Sequence, residues 1–285
     1  MRIAILAGLL LAALQDPRPP VPTPPTRPTG PPQGEVHATE KLPENLDRLF
    51  LADRTEVRGR LVGFQAAGIV VFRERTGGIE RSLPLEEVAR LQFGPDGPPR
   101  TAPGIQQVRL QQGARLSGRL ESFDGLRFVL EAAFGRVVLS RADVRALSLA
   151  PLEGAVPELR EEPRDIMVVE KSEVRDAAPP EVVYGTLRGL DSTSIRWELP
   201  SGEERSWPRQ SVREVFLYQE RSPPEPPPGW FARVLLRNGD RFVGVLAGAS
   251  TEAMEIFCPL FGRASISKKL VHSITFVPQA RLTAG

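Results

Sequence analysis

One short pattern of residues occurs four times along this chain. Each copy contains a glycine, a leucine two residues later, apolar residues ten and twelve positions after the glycine, and a closing Val-x-x-apolar-x-apolar tail. The glycines are Gly59, Gly118, Gly185 and Gly244, and the tails begin at Val88, Val144, Val212 and Val271. Such a repeat predicts one small supersecondary unit copied four times, and it separates core positions from surface positions. It does not identify a ligand or a reaction.

Within each copy, apolar residues alternate with polar ones, which is typical of β-strands that bury one face. The copies occupy residues 41–93, 106–150, 166–218 and 230–278, and each has room for about five short strands. Proline-rich segments separate them at 94–105, 151–165 and 219–229. We therefore predict an all-β chain. A four-bladed propeller is the alternative architecture, but the spacers would hold its blades apart.

The repeated glycine lies in the middle of the second predicted strand, where glycine weakens packing unless the strand bends or bulges. A sharply bent second strand is what closes a small barrel. The run Val234-x-Leu236-x-Asn238-Gly239-x-x-Phe242-x-Gly244-x-Leu246 resembles the first half of an Sm-like, SH3-type small barrel, and the run from Val108 to Leu120 has the same frame. The resemblance implies four tandem five-stranded barrels joined by proline-rich linkers.

Sm-like proteins bind RNA through an Asp-x-x-Met-Asn stretch and an Arg-Gly pair, and neither motif is complete in this chain. The positions that correspond to the asparagine are Ile69, Phe128, Ile195 and Met254. Nucleic acid is therefore not the partner that we expect.

The N-terminus has the features of an export signal over residues 1–15. Arg2 precedes an apolar run from Ile3 to Leu14, which is shorter than the roughly 20 residues that span a bilayer, although an uncleaved anchor stays open. Residues 16–40 form a proline-rich tether. We expect an exported chain, periplasmic or associated with the cell envelope, without a transmembrane span after signal cleavage.

Cys258 is the single cysteine, so no internal disulfide can form, and we expect its thiol to be buried. Units of fewer than about 60 residues bury too little surface to be comfortably stable alone. We therefore expect neighbouring units to pack on one another, with self-association as the alternative.

The third unit is rich in aromatic residues and has a long first loop. The repeat register aligns Trp197 and Trp207 with core positions, whereas Tyr184 falls on the outward side of its strand. Long loops commonly carry binding residues. A candidate ligand surface therefore consists of Tyr184 with three loop residues, Glu173, Arg175 and Asp176.

Catalytic signals are weak. The two histidines, His37 and His272, lack a metal-ligand spacing, and the repeat register places His272 at an exposed position. We expect no catalytic residues, no metal and no cofactor. The pattern favours a non-catalytic binding or scaffolding protein at the bacterial cell envelope, with a protein or glycan as partner. The alternative is an exported protein that binds or processes carbohydrate through the third unit, using a pair of carboxylates.

Overall fold

The computed structural model describes residues 46–65, 68–95, 97–100, 102, 104–150, 163–170, 180–219 and 230–278. The expected export signal and tether lie outside these residues and stay predictions. Within the described ranges, every regular element is a β-strand or a three-residue 3₁₀ turn, so the all-β prediction is confirmed. The same ranges contain no helix long and apolar enough to cross a membrane.

The strands form four sets of five, which we call units 1 to 4. Unit 1 contains β1 (Asp47–Leu51), β2 (Glu56–Gln65), β3 (Ile69–Glu74), β4 (Glu80–Pro84) and β5 (Val88–Gln92). Unit 2 contains β6 (Gln107–Leu110), β7 (Arg115–Phe123), β8 (Arg127–Ala132), β9 (Gly135–Ser140) and β10 (Val144–Ser148). Unit 3 contains β11 (Asp165–Val169), β12 (Glu181–Leu190), β13 (Ser194–Glu198), β14 (Glu204–Pro208) and β15 (Val212–Phe216). Unit 4 contains β16 (Trp230–Leu236), β17 (Arg241–Ala249), β18 (Ala253–Cys258), β19 (Gly262–Ser267) and β20 (Val271–Pro278).

A 3₁₀ turn, which we call the closing turn, joins the fourth strand to the fifth in every unit. The closing turns are Leu85–Glu87, Arg141–Asp143, Arg209–Ser211 and Lys268–Leu270, and one further 3₁₀ turn lies at Gln111–Gly113. All units share one antiparallel order, in which the fifth strand pairs with the first, the first with the second, the second with the third and the third with the fourth. The inward-facing apolar side chains of all four units belong to one core.

A β-bulge bends the second strand of every unit. In unit 1 the register shifts between Leu61 and Gly63, and units 2, 3 and 4 shift at the equivalent point. The repeated glycine precedes the bulge because the third strand approaches it closely. A Cβ at Gly185 would lie 2.2 Å from the Glu198 carbonyl oxygen and 2.3 Å from Nε1 of Trp197. The bend that the mid-strand glycine predicted is therefore present in all four units.

The units associate in two pairs through their fifth strands. Leu91 of β5 faces Ile274 of β20, and Leu147 of β10 faces Val215 of β15. These are equivalent positions of the repeated tail, so each pair is related by an approximate two-fold axis. We call units 1 and 4 the outer pair and units 2 and 3 the inner pair. The expectation that sequence neighbours pack together holds for the inner pair and is wrong for the outer pair, which joins the first unit to the last.

Each pair has a second junction where its two long second strands end. Phe64 pairs with Ala249 in the outer pair, and Phe123 pairs with Leu190 in the inner pair. All four residues lie five positions after the repeated glycine, so this junction is also reciprocal. The backbone contacts within the two pairs are therefore the same.

Units 2 and 4 connect the two pairs. Nη2 of Arg115 donates to the Gly239 carbonyl oxygen at 2.8 Å, and Nε of Arg241 donates to the Gly113 carbonyl oxygen at 3.1 Å. These two hydrogen bonds link equivalent residues in opposite directions. The four units thus form one connected, all-antiparallel body.

Candidate functional site

The bulge in the second strand creates a polar position on the first strand. Asp47, Gln106 and Asp165 lie opposite the repeated glycine or pair with it, and their side chains accept the freed backbone N–H of the bulge leucine. The acceptor distances are 2.9 Å to Leu61, 2.9 Å to Leu120 and 2.8 Å to Leu187. Unit 4 has Ala232 at this position, so its side chain offers no acceptor.

The same polar side chains also contact a cationic side chain from the closing turn of the paired unit. Arg141 of unit 2 donates to both carboxylate oxygens of Asp165 in unit 3, each at 2.9 Å. Arg209 of unit 3 donates to Oε1 of Gln106 in unit 2 at 2.9 Å. In the outer pair, Nζ of Lys268 lies 2.5 Å from Oδ2 of Asp47. A cation on the closing turn therefore links the two units in three of the four equivalent places.

The fourth place is apolar on both sides. Leu85 is the first residue of the closing turn of unit 1, and it takes the place that Arg141, Arg209 and Lys268 have in the other units. Leu85 and Ala232 line the same cleft of about 380 Å³. The other residues that line this apolar cleft are Phe64, Gly68, Glu86, Trp230, Val245, Leu246, Ala247 and Phe276.

The two-fold mate of this apolar cleft is a second cleft, which we call the outer cleft. It has a volume of about 710 Å³ and lies between unit 1 and the closing turn of unit 4. The residues that line it are Leu46, Asp47, Gly59, Arg60, Phe93, Gly94, Pro95, Arg237, Thr251, Glu252, Ser267, Lys268 and Lys269. Four cations and two carboxylates therefore meet in one cleft.

Two of these cations are held in place by the fold. Lys268 makes the ion pair with Asp47, and its ammonium group lies 5.4 Å from the centre of the Phe93 ring. Nε of Arg237 donates to the Lys269 carbonyl oxygen at 3.1 Å, and its Nη2 donates to the Phe93 carbonyl oxygen. Both side chains therefore form fixed walls of the outer cleft.

Arg60 and Lys269 are the two free cations of the outer cleft. Both residues are exposed, and within the described part of the chain neither side chain makes a hydrogen bond or an ion pair. The Glu252 carboxylate at the same cleft is exposed and likewise unpaired among the described residues. The groups open to a ligand are thus two cations and one carboxylate.

The inner pair has an equivalent cleft of about 530 Å³, which we call the inner cleft and which has fewer charged side chains. Gln106 stands in the place of Asp47, Arg209 in the place of Lys268, and Gln210 in the place of Lys269. Ser192 and Thr193 line the wall that Thr251 and Glu252 form in the outer cleft. Arg209 already donates to Gln106 and to the Leu120 carbonyl oxygen, so less cationic surface is left for a ligand.

The candidate surface in the third unit is only partly described. Tyr184 lies on β12 opposite Ile166 and is half-buried, whereas Glu173, Arg175 and Asp176 lie outside the described residues. The predicted core position of Trp197 is confirmed, because its side chain is 0% exposed. Trp207 is only partly buried against the core, although Leu139 and Ile266 at the equivalent positions of units 2 and 4 are 0% exposed.

The cysteine and the described histidine have no catalytic setting. Cys258 is buried as expected, and burial raises the pKa of its thiol to about 12. His272 is half-buried rather than exposed, so that expectation is wrong. Its burial lowers the pKa of the imidazole, and the nearby Arg237, Arg90 and Arg48 lower it further. Among the described residues, no group of three or more His, Cys, Asp or Glu side chains could hold a metal ion.

Sequence reasoning missed the outer cleft. Its one visible signal was the adjacent pair Lys268-Lys269, which contains half of the four lysines in the chain. Arg60 and Lys269 belong to different units and meet only when the first and last units associate. The chain matches no protein-family model, and no curated protein is significantly similar to it.

Proposed function

We propose that this chain is a non-catalytic binding or scaffolding protein of the bacterial cell envelope, and that the outer cleft holds its ligand. The observation that carries this proposal is the contrast among equivalent clefts. The backbone contacts that form the clefts are the same in both pairs, whereas the lining changes from apolar to basic. Variation of side chains on a constant frame is typical of binding surfaces.

The small-barrel resemblance is part of the proposal. The strand order of each unit and the bulged second strand support an Sm-like, SH3-type identity for the four units. The family's RNA-reading residues are missing, so a protein or a glycan of the envelope is the partner that we propose rather than a nucleic acid.

The placement at the envelope rests on the apolar run at residues 3–14 and on the proline-rich tether that follows it. In this proposal the tether separates the folded units from the membrane or wall. Export without disulfides is compatible with four units that share one core.

Carbohydrate processing is the second candidate, because the outer cleft contains two carboxylates, Asp47 and Glu252. A glycosidase needs one carboxyl group to donate a proton and the other to act as nucleophile or base. Oδ2 of Asp47 already accepts the Leu61 N–H and faces the Lys268 ammonium group. This engagement favours a structural role for Asp47, and therefore favours binding over cleavage.

The test is an affinity experiment with the chain from residue 16 onward, immobilised and exposed to envelope extract, isolated wall glycan and RNA in parallel. At about 0.15 M salt we expect retention of an envelope component and no retention of RNA. Retention of RNA at that salt would contradict the proposal. Release of cleaved sugar from the glycan bait would favour the processing alternative.

A further inference from the structure

We infer that the outer cleft binds a carboxylate-bearing oligosaccharide, with Arg60 and Lys269 pairing with the acid groups of the sugar. This inference rests on the proposed binding function and names its ligand class. It depends on three properties of the cleft: its unpaired charge, its rigid walls and the hydroxyl and carboxylate groups at its rim.

The charges of the outer cleft leave a surplus for an anion. Lys268 is neutralised by Asp47, and Arg237 is committed to two backbone carbonyl oxygens. Among the residues that the structure describes, Arg60 and Lys269 remain without a side-chain partner, and Glu252 is the one unpaired carboxylate beside them in the cleft. A guanidinium and an ammonium group that line one cleft are groups that recognise carboxylates.

The walls of the cleft are preorganised. Gly94 has a φ of +63°, and a Cβ at this position would lie 2.5 Å from Nη2 of Arg237. Glycine therefore permits both the left-handed backbone and the passage of the guanidinium group to the Phe93 carbonyl oxygen. A cleft whose walls are already fixed loses little conformational entropy when a ligand binds.

The rim of the cleft favours a sugar acid over other anions. Thr251 and Ser267 present exposed hydroxyl groups, and the Glu252 carboxylate can accept hydrogen bonds from sugar hydroxyls. A polyphosphate and an acidic peptide have no row of hydroxyl groups to donate to Glu252, so they meet its negative charge without that compensation. A volume of about 710 Å³ is in the range of sites that hold drug-sized ligands.

The equivalent clefts act as internal controls for this assignment. The apolar cleft has Leu85 and Glu86 where the outer cleft has Lys268 and Lys269, and the inner cleft has Arg209 and Gln210. A lysine at the second position of the closing turn thus occurs in unit 4 alone. The fold needs no lysine there, since the other three closing turns form without one.

The experiment measures binding of trigalacturonate, a trimer of uronic acid, by titration calorimetry, with maltotriose, inorganic phosphate and poly-glutamate as parallel probes. The test variant is R60Q/K269Q. The control variant is R54Q/R263Q, which removes the same charge from two exposed arginines of units 1 and 4 that do not line the outer cleft. Thermal unfolding of both variants checks that the fold is intact.

We expect trigalacturonate to bind the wild type, to bind R60Q/K269Q roughly tenfold or more weakly, and to bind the control within about twofold of the wild type. Maltotriose should not bind. The inference is overturned if both variants weaken binding equally, if phosphate or poly-glutamate binds and trigalacturonate does not, or if no probe binds. If the envelope pull-down succeeds while trigalacturonate fails, the ligand class is wrong and the proposed binding function stands.

Discussion

The outer and inner pairs are built by the same backbone contacts and closed by different side chains. In both pairs the fifth strands meet at equivalent tail residues and the second strands meet again at their ends. The inner pair then places an arginine on each of its two inter-unit links, at Asp165 and at Gln106. The outer pair has one lysine–aspartate link and one apolar link, and it keeps the larger cleft.

This difference separates what the fold requires from what it tolerates. The ladders and bulges occur in all four units, so they define the frame. The links at the closing turns vary from an arginine whose Nη2 donates to both oxygens of a carboxylate to a leucine, so the frame does not depend on their chemistry. Within the described segments of the chain, the outer cleft is the place where this freedom leaves unpaired charge, and for that reason it is our candidate for function.

The largest loss of stability should come from substitution of the repeated glycine, which occurs in all four units. G185A would place a Cβ 2.2 Å from the Glu198 carbonyl oxygen, so we expect a loss of about 3 kcal/mol or more in the free energy of unfolding, measured in urea. G248A is the matched control, because its Cβ would meet nothing closer than 3.8 Å. Similar losses in the two variants would refute the close approach of the second and third strands.

The next effect should distinguish the two pairs. Asp165 is 2% exposed, binds Arg141 through both oxygens and accepts two backbone N–H groups, from Leu187 and Tyr218. D165A should therefore cost about 3 kcal/mol of unfolding free energy. In D47A the Leu61 N–H loses its side-chain acceptor and Lys268 loses its ion-pair partner, but the Lys268 ammonium group can turn into the open cleft. We therefore expect D47A to cost about 1 to 2 kcal/mol of unfolding free energy. Equal losses of unfolding free energy for D165A and D47A in chemical denaturation would contradict the proposed difference between the pairs.

The contact between the pairs should respond to pH. Asp240 is fully buried, and its burial raises the pKa of the carboxyl group above 3.8, against the opposing effects of Ser117, Asn238 and Arg115. A raised folded-state pKa stabilises the fold at low pH, and this contribution is lost as the pH rises through the folded-state value. D240N should therefore gain stability relative to the wild type at neutral pH, and the gain should shrink at about pH 3. A gain in stability that grows on acidification would show that the fold lowers the pKa of Asp240 rather than raising it.

The smallest effect should come from Cys258, whose equivalent in unit 2 is Ala132. Because the same frame accepts alanine there, C258A should cost about 1 kcal/mol or less. The raised pKa of the thiol predicts no reaction with a disulfide reagent at neutral pH until the protein unfolds. Rapid labelling of the native protein would contradict the buried position.

Much of each unit could be predicted from the sequence, because local patterns determine it. Period-two alternation gave the strands, and the mid-strand glycine gave the bend of the second strand. Alignment of the repeats also placed Trp197 in the core. Trp207 is less buried than its register suggested, although Leu139 and Ile266 at the equivalent positions are fully buried. The register gives the face on which a side chain lies, but it does not give how completely a large indole is covered.

The assembly and the cleft could not be predicted, because both depend on contacts between distant units. Nothing in the tail beginning at Val88 specifies that it will face the tail beginning at Val271 rather than the one beginning at Val144. Arg60 and Lys269 each have the pattern of a solvated surface residue within their own units. They acquire a shared role only after the first and last units pair.

The central claim is that unit 1 pairs with unit 4 through their fifth strands. Arg90 and Thr275 face each other in that ladder, at a separation that suits a disulfide. We predict that R90C/T275C in a C258A background forms an intramolecular disulfide on mild oxidation, detected by a shift on a non-reducing gel and by intact mass. Free thiols or exclusively intermolecular disulfides under the same conditions would contradict the pairing of the first and last units.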